Sequence, residues 1–357
     1  MQILSVRGAL PEHHYPQGEI TDALVSVVTN GSMAPGAEQL MRRFHKNAGV
    51  EHRHLAMPLE DYTDLGDFGA SNDRFIEVGT RLGAQAVSDA LKAAGLTPVD
   101  VDLIIGTTVT GLAVPSLDAR IAGVLGLRPD VKRVPLVGLG CVAGAAGIAR
   151  LHDYLVGHSD EVAVLVSVEL CSLTLQRDDV SVPNLVASGL FGDGAAAVVA
   201  TGSRVTSSPA APVEVLGSRS HLYPDSERTM GWDVGATGLR IVLDAHVPDL
   251  VRRYLATDVA DFLDGHGLGL EDVGWWVTHP GGPKVLEAIE DSLDLPRAAV
   301  QVTWDSLARV GNLSSASVLH AFEDTLRDRP PHPGSYGILM AMGPGFCSEL
   351  VLMRATG

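Results

Sequence analysis

The sequence contains few of the residues that would indicate a disulfide framework or a metal site. Only three cysteines occur among 357 residues, Cys141, Cys171 and Cys347, and they stand far apart with no CxxC pair or Cys/His cluster. An odd number of scattered cysteines predicts free thiols in a reducing compartment. We therefore expect a cytoplasmic protein without disulfides or a bound metal.

Long apolar runs and excess positive charge are also missing. No run of about 18 apolar residues occurs, which predicts no transmembrane helix. The first residues, MQILSVR, lack a basic stretch followed by a long apolar core, so we expect no signal peptide. The formal net charge is −17, and such a surface repels nucleic acids and anionic membranes. A local basic patch can still bind a small anionic ligand.

What the sequence does contain is an α/β pattern that occurs twice. In each half a helical segment ends at Gly-Leu and an apolar strand follows: residues 87–94 then 101–106, and residues 259–266 then 273–277. A buried strand at 195–200 leads into a loose Ser-, Pro- and Ala-rich stretch at 201–212. We place a boundary there, which gives two halves, 1–212 and 213–357.

Two landmarks recur at one spacing. The same 171 residues separate Thr108 from His279 and Cys141 from Asn312, which predicts a duplicated unit, with chance similarity of α/β segments as the alternative. Apolar strands alternating with helices predict sheets covered on both faces, and two copies then give α-β-α-β-α layers. Residues 142–149 (VAGAAGIA) have no polar face, so this helix should lie buried at the centre.

Cys141 is a candidate nucleophile because of where it stands. It follows a predicted strand and begins the buried helix, where unpaired N–H groups and the helix dipole favour a thiolate. Gly140 and Gly144 permit a tight turn and close approach of a substrate. The alternative is a small buried structural cysteine, which is the commoner case for a lone cysteine.

His279 and Asn312 are candidate partners of Cys141. His279 ends an apolar strand before a Gly/Pro loop, where α/β folds place reactive groups, although a core or surface histidine is the alternative. Asn312 is interpreted as the helix-start counterpart of Cys141, with plain capping together with Ser314 and Ser315 as the alternative. If the halves pack about a pseudo-twofold axis, the three side chains meet. The histidine can then form an ion pair with the thiolate, and histidine and asparagine can both donate to one carbonyl oxygen.

At these residues the sequence resembles the type III polyketide synthases, the chalcone synthase-like branch of the thiolase superfamily. The likeness extends over nearly the whole chain. Five segments carry it, in the order of that family: 138–145 (GLGCVAGA), 190–196 (LFGDGAA), 277–283 (VTHPGGP), 311–316 (GNLSSA) and 342–346 (MGPGF).

The resemblance implies an α/β, thiolase-like fold and a homodimer without a metal or a bound organic cofactor. It implies that Cys141 takes an acyl starter from an acyl-CoA, while His279 and Asn312 orient malonyl-CoA and stabilise the enolate and the oxyanion. Repeated decarboxylative Claisen condensation and cyclisation would follow in the same pocket.

The resemblance also implies substrate-binding residues. Phe191 matches an aromatic gate between a CoA tunnel and the cavity, with an ordinary core phenylalanine as the alternative. The other positions that match the cavity or its closing loop are Thr174, Cys171, Val114, Trp232, Ile241, Ser314 and Gly345.

Binding of CoA is expected to differ from the pattern of that family. Arg43 matches a basic position for the CoA phosphates, although a solvated helix face is an equal alternative. The other basic positions of that site align with Leu40 and Asn47. Help is expected from Arg42, Lys46 or Lys284.

The cavity residues suggest a substrate. Val114, Ile241 and Leu243 are apolar, while Cys171 and Thr174 are small, so an aliphatic chain would gain about 0.8 kcal/mol per buried CH₂. Residues 169–175 (ELCSLTL) also resemble bacterial members of the family. We expect a medium or long fatty acyl starter and an alkylresorcinol or alkylpyrone product, as for bacterial alkylresorcinol or alkylpyrone synthases.

Other functions stay open from the sequence. A ketoacyl-ACP synthase III-like or HMG-CoA synthase-like enzyme would share the fold and the cysteine but stop after one condensation. A thiol hydrolase can also have Cys, His and Asn in this order. A binding protein with a relic site is a non-catalytic alternative. The sequence leaves open whether the starter arrives on CoA or on an acyl carrier protein.

Overall fold

The computed structural model describes residues 1–28, 32–205 and 212–356. The strands are β1 Gln2–Ala9, β2 His13–Pro16, β3 His52–Leu55, β4 Leu103–Thr108, β5 Lys132–Val137, β6 Val162–Leu170, β7 Asp193–Thr201, β8 Val213–Leu222, β9 Met230–Gly235, β10 Gly238–Leu243, β11 Val273–Thr278, β12 Tyr336–Gly343 and β13 Cys347–Ala355. The helices are α1 Gln17–Val27, α2 Pro35–Lys46, α3 Phe68–Ala93, α4 Leu117–Leu125, α5 Ala143–Gly157, α6 Val182–Leu190, α7 Val247–Asp264, α8 Pro283–Leu293, α9 Gln301–Val310 and α10 Ser317–Asp328.

Nine of the strands form one sheet, in the order β11-β12-β13-β8-β1-β7-β6-β4-β5. Among the described residues, β1 and β8 join its two parts through two residue pairs, Gln2 with Glu214 and Ile3 with Val213. β2 pairs with β3 and β9 pairs with β10 in separate two-stranded ribbons. The sequence boundary at residue 212 stays a prediction, because residues 206–211 of the loose stretch lie outside the described part of the chain.

The two parts of the sheet repeat one topology. β4 is parallel to β6, which is antiparallel to β7, and β7 is antiparallel to β1. In the same way β11 is parallel to β12, which is antiparallel to β13, and β13 is antiparallel to β8. β5 has no counterpart among the described strands of the second part. The predicted duplication therefore agrees with the order and direction of the strands.

The elements correct one detail of that duplication. The matching strands β4 and β11 begin 170 residues apart, at Leu103 and Val273, but the matching helices α5 and α10 begin 174 residues apart, at Ala143 and Ser317. By helix start, Ser315 is the counterpart of Cys141. The interpretation of Asn312 as that counterpart was wrong by three residues, because the segment from the matching strand to the matching helix is four residues longer in the second half.

The side chains of the sheet alternate between three apolar cores and so define the layers. Along β6, Val164 and Val166 pack with α3 in one outer core, while Ala163 and Leu165 point into a central core. Along β12, alternate residues face the same central core and a second outer core that α7 and α8 cover. The central core contains α5 and α10, so the α-β-α-β-α architecture is confirmed.

The centre of the molecule is packed through small residues, as the all-small helix predicted. A Cβ atom added at Gly144 of α5 would lie 2.3 Å from the carbonyl oxygen of Ser315 and 2.7 Å from Val318 Cγ1. Only glycine allows the first turn of α5 to approach the start of α10 this closely.

One strand departs from the expectation that both sheet faces are covered. β5 lies at the edge of the sheet, and most of its residues are exposed. Its side chains Val134 and Val137 are 39% and 58% exposed. The strand also contains Lys132, Arg133 and Pro135, so its exposed valines, rather than an unprotected edge, mark a surface that another molecule could cover.

Candidate active site

The three candidate catalytic side chains line one cavity. Cys141, His279 and Asn312 come from the turn before α5, the end of β11 and the turn after α9, and all three border a cavity of about 460 Å³. This volume lies within the usual range for small-molecule sites. The sequence therefore identified residues that the fold brings together over large distances along the chain.

Cys141 lies in a short 3₁₀ turn, residues 140–142, that leads directly into α5. Gly140 has φ +55°, and a Cβ atom there would lie 2.8 Å from the ring of Pro344, so glycine is required at the approach to the sulfur. The thiol donates to Ser314 Oγ over 3.8 Å. Burial raises the pKa of Cys141 to about 12, the hydroxyl of Ser314 lowers it, and the nearby carboxylate of Glu169 raises it further.

His279 lies directly after β11. Its backbone N–H donates to the carbonyl of Met340 over 3.0 Å, which fixes the residue against β12. Within the described residues neither ring nitrogen has a hydrogen-bond partner, and burial lowers the pKa of His279 to about 3. Burial is the first cause of both pKa shifts and opposes the charged form of each group, and the predicted thiolate–imidazolium pair stays a prediction. The unpartnered ring nitrogens are left for a bound molecule.

Asn312 is held by its own turn. Its Oδ1 accepts from the backbone N–H of Ser314 at 2.8 Å and from Ser317 Oγ at 3.2 Å. The capping alternative is thus partly correct, but these bonds use only the oxygen and leave the amide N–H₂ to donate elsewhere. Ser314 has φ +49°, a costly conformation for a non-glycine residue. Hydrogen bonding by Asn312 also lowers the pKa of Cys141.

Three predicted substrate residues form a wall between two cavities. Phe191, Trp232 and Ile241 border both the main cavity and a side cavity of about 40 Å³. Thr174 and Cys171 border the side cavity and not the main one. These two predicted substrate residues therefore lie behind the wall.

Val114 and Gly345 lie outside the main cavity of their own chain. Val114 is 96% exposed, so its side chain cannot form a cavity wall without another molecule. Gly345 borders an outer cleft of about 400 Å³, which shares Trp232, Met230 and Pro344 with the main cavity. Ser314, in contrast, borders the main cavity as predicted.

Of the basic residues predicted to bind CoA, two border the main cavity and two do not. Arg43 and Lys284 border the main cavity. Lys46 is exposed and does not border it, and Arg42 is occupied by ion pairs with Asp22 and Glu38. Of the four candidates, the first two are placed to meet an anionic ligand.

Glu169 lies close enough to Cys141 to act on the pKa of its thiol, but it was missed as a candidate from the sequence. This buried carboxylate of β6 accepts from the backbone N–H of Val109 at 3.1 Å, from Thr110 Oγ1 at 2.9 Å and from Ser315 Oγ at 2.5 Å. Burial raises the pKa of Glu169. The sequence did contain a signal for Glu169, since it is the one acidic residue in the mostly apolar strand β6. A buried acidic residue needs specific hydrogen-bond partners, which indicates a defined role.

Two further observations bear on partners. In the described ranges no group of three or more His, Cys, Asp and Glu side chains could hold a metal ion. No helix formed by residues 1–28, 32–205 or 212–356 is long and apolar enough to cross a membrane.

Comparisons with known proteins agree with the fold. Residues 1–204 match the N-terminal domain of the chalcone and stilbene synthases, and residues 214–357 match their C-terminal domain. A 1,3,6,8-tetrahydroxynaphthalene synthase of Streptomyces peucetius subsp. caesius is 55% identical over 353 residues, which is 99% of this chain and 92% of the relative. A 3,5-dihydroxyphenylacetyl-CoA synthase of Streptomyces toyocaensis is 31% identical over 360 residues, which is 99% of this chain and 90% of the relative.

A solved structure gives the same result. The crystal structure of the 1,3,6,8-tetrahydroxynaphthalene synthase of Streptomyces coelicolor A3(2), a bacterial type III polyketide synthase, superposes with a TM-score of 0.92, 30% identity and coverage of 100% of both chains. The two domain matches, the relative that is more than half identical and this thiolase-like fold lead to one assignment. The chain belongs to the chalcone and stilbene synthase family and is a type III polyketide synthase, an enzyme of the acyltransferase class.

Proposed function

We propose that this enzyme builds its product from malonyl-CoA alone and releases 1,3,6,8-tetrahydroxynaphthalene. The observation that carries this proposal is the 55% identity to the tetrahydroxynaphthalene synthase of Streptomyces peucetius over 99% of the chain. The naphthalene ring has ten carbons, which equals five two-carbon units, and each malonyl group supplies two carbons after it loses CO₂. The family assignment removes the ketoacyl synthase III-like, HMG-CoA synthase-like, thiol hydrolase and non-catalytic alternatives.

Three side chains carry the chemistry in this proposal. The thiol of Cys141 passes its proton to His279, and the sulfur attacks a thioester carbonyl, so that the acyl group moves to the enzyme and CoA leaves as the thiol. Asn312 and His279 then donate to the thioester oxygen of malonyl-CoA while CO₂ departs, which leaves the bonding pair in an enolate. The enolate carbon attacks the acyl–Cys141 carbonyl and frees the sulfur. The unpartnered His279 nitrogens and the amide N–H₂ of Asn312 support these roles.

The shape of the cavity favours a short starter. The side cavity that could extend the main one encloses only about 40 Å³, behind Phe191, Trp232 and Ile241. Cys171 and Thr174 contact an acyl chain only if this wall opens. Arg43 and Lys284 are proposed to bind the phosphates of the CoA ester at the main cavity.

A fatty acyl starter, with an alkylresorcinol or alkylpyrone product, is the second candidate. It is favoured by the apolar side chains around the main cavity, including Ile241 and Leu243. Movement of the three wall residues would join the two cavities and lengthen the space for an aliphatic chain. Delivery of the starter by an acyl carrier protein is compatible with either candidate.

Product analysis by mass spectrometry distinguishes the two candidates. Purified enzyme receives malonyl-CoA alone, and then malonyl-CoA with each member of a series from acetyl-CoA to palmitoyl-CoA. We expect tetrahydroxynaphthalene, or its oxidised form, from malonyl-CoA alone, with little change when acyl-CoAs are added. Products that form only with long acyl-CoAs would instead establish the second candidate. No polyketide from any mixture would contradict both.

We also propose that the enzyme is a homodimer through the face that contains β5. Leu112, Val114 and Val137 are 47%, 96% and 58% exposed on this face, beside an edge strand with free backbone groups. A second copy packed here would bury Val114 and cover the outer cleft next to Trp232. The side chain of Val114 could then form part of a cavity wall, as predicted from the sequence.

Light scattering after size-exclusion chromatography tests the dimer. Val137→Arg places a charge in the proposed interface and should give a monomer. Val156→Arg is the matched control, because Val156 is 68% exposed at the far end of α5 and should leave the mass unchanged. A wild-type monomer, or equal masses for both variants, would contradict the proposed face.

A further inference from the structure

Arg53 is a buried cation that the chemistry described above does not use. It lies on β3 with 2% exposure. Its Nε donates to Gln17 Oε1 at 2.9 Å, and its Nη1 donates to the carbonyl of Ser188 at 2.8 Å and to the carbonyl of Phe191 at 2.7 Å. Every one of these acceptors is neutral. Burial lowers the pKa of Arg53 to about 10, and the nearby buried carboxylate of Asp193 opposes that lowering, so the charge is partly compensated. The hydrogen bonds of the guanidinium are nevertheless directed at main-chain carbonyls of one segment, which defines what Arg53 holds in place.

The carbonyl that Arg53 holds belongs to a bridge that ends at the active site. Phe191 and Asn312 form an isolated parallel bridge. The backbone N–H of Gly192 donates to the carbonyl of Asn312 at 2.9 Å, and the backbone N–H of Asn312 donates to the carbonyl of Leu190 at 2.9 Å. The bridge therefore fixes the main chain of Asn312 to the segment that carries Phe191.

Arg53 contacts the other side of this bridge as well. Gly311 has φ +75°, and a Cβ atom there would lie 3.2 Å from Arg53 Cγ. The stem of Arg53 thus packs against the residue before Asn312, while its guanidinium holds the carbonyl of Phe191. Arg53 therefore contacts both segments of the bridge, the one with Phe191 and the one with Gly311, so a substitution at position 53 affects both.

The orientation of the Asn312 carboxamide depends on the position of the Asn312 main chain. Its Oδ1 is tied to Ser314 and Ser317 in the turn that follows, so the side chain moves with the turn. Displacements near 1 Å of a positioning group can cost about 100-fold in rate. We propose that Arg53 is a positioning residue that holds the Phe191–Asn312 bridge and so aims the Asn312 carboxamide at the extender thioester.

This role rests on the proposed function. It concerns one step, the decarboxylation of malonyl-CoA, which can be measured separately from chain extension. In decarboxylation the bond between the carboxylate and the α-carbon of malonyl-CoA breaks, CO₂ leaves, and the pair forms an enolate. Without an acyl acceptor the enolate takes one proton and becomes acetyl-CoA. Conversion of malonyl-CoA to acetyl-CoA therefore reports on Asn312 and His279 without requiring chain extension.

Arg53→Lys is the first variant, because lysine keeps the charge and much of the apolar stem. A compact ammonium cannot reproduce the planar fork that spans Gln17, Ser188 and Phe191. We expect kcat for malonyl-CoA decarboxylation to fall about 10- to 100-fold while KM stays within about threefold, since Arg43 and Lys284 are unchanged. The folded fraction and the melting temperature are measured in the same preparation.

Two further variants separate positioning from a loss of stability. Val164→Ala removes buried volume from β6 in the outer core, and it should lower the melting temperature while keeping kcat per folded molecule. Gln17→Met removes the Oε1 acceptor of Arg53 and the Nε2 donor to the carbonyls of Gly189 and His45 without changing charge, and it should lower kcat in the same direction by a smaller factor. If Arg53→Lys does not fold, Gln17→Met decides the question by the same measurements.

The outcomes distinguish this inference from the proposed function. A wild-type enzyme that does not decarboxylate malonyl-CoA would overturn the proposed function. An active wild type, with folded Arg53→Lys or Gln17→Met retaining its kcat within about twofold, would overturn only the role of Arg53.

Discussion

Replacing Cys141 with alanine should abolish polyketide formation, with a loss of at least about 1,000-fold measured as product from malonyl-CoA by mass spectrometry. The reason is that no other thiol borders the main cavity among the described residues, so the growing chain has no covalent attachment. His279 and Asn312 remain in place in this variant. Conversion of malonyl-CoA to acetyl-CoA should therefore persist within about tenfold of the wild-type rate.

Cys347→Ala is the matched control for this experiment. Cys347 is a free, partly buried thiol at the start of β13 that does not border the main cavity, and burial likewise raises its pKa, to about 11. Its replacement should leave product formation within about twofold of the wild type. Polyketide formed by Cys141→Ala at a wild-type rate would contradict the assignment of the nucleophile.

Replacing Gly144 with alanine should destabilise the protein by about 2–3 kcal/mol and disturb the active site. The added Cβ atom would lie 2.3 Å from the carbonyl oxygen of Ser315, which is backbone and cannot rotate away. Relief requires that α5 and α10 move apart near their first turns, where α5 follows Cys141 and α10 follows Asn312. Urea unfolding measures the stability, and the product assay measures the site.

Gly123→Ala makes the same substitution at an exposed position and should have the opposite effect on the stability of the protein. Gly123 lies inside α4, is exposed, and has no atom within 4 Å of an added Cβ, so alanine should stabilise the protein by about 0.5–1 kcal/mol. Equal effects of the two substitutions would mean that the central helices separate without cost, against the close packing described above.

Much of the fold could be predicted from patterns of a few residues. The apolar strands, the Gly-Leu helix stops and the all-small helix after Cys141 were each recognisable locally, and each lies where it was expected. The convergence of Cys141 and His279 followed from strand and helix ends that duplication brings together. Such features depend on backbone conformation and on burial, both of which leave a local signature in a sequence.

What the sequence did not reveal depends on which surfaces meet. The exposure of Val114 and of β5 is not visible in their apolar composition, because an apolar residue fits a core and an interface equally well. Equal spacing misaligned Asn312, since a spacing cannot show that the segment between two matching elements has gained residues. Arg53 and Glu169 act through partners distant in the chain, so no spacing near either residue marks them.

The central core has a consequence for the ancestry of the chain. The two parts of the nine-stranded sheet each turn an apolar face to the central core, and α5 and α10 together fill the space between them. A protein of half this length would expose that whole inner face to water and could remain folded only by pairing with an identical copy. A half-length ancestor would thus have been a symmetric dimer, and duplication and fusion of its gene would have freed the matching turns to diverge. One turn could then keep a thiol at position 141 while its counterpart at position 315 holds a serine.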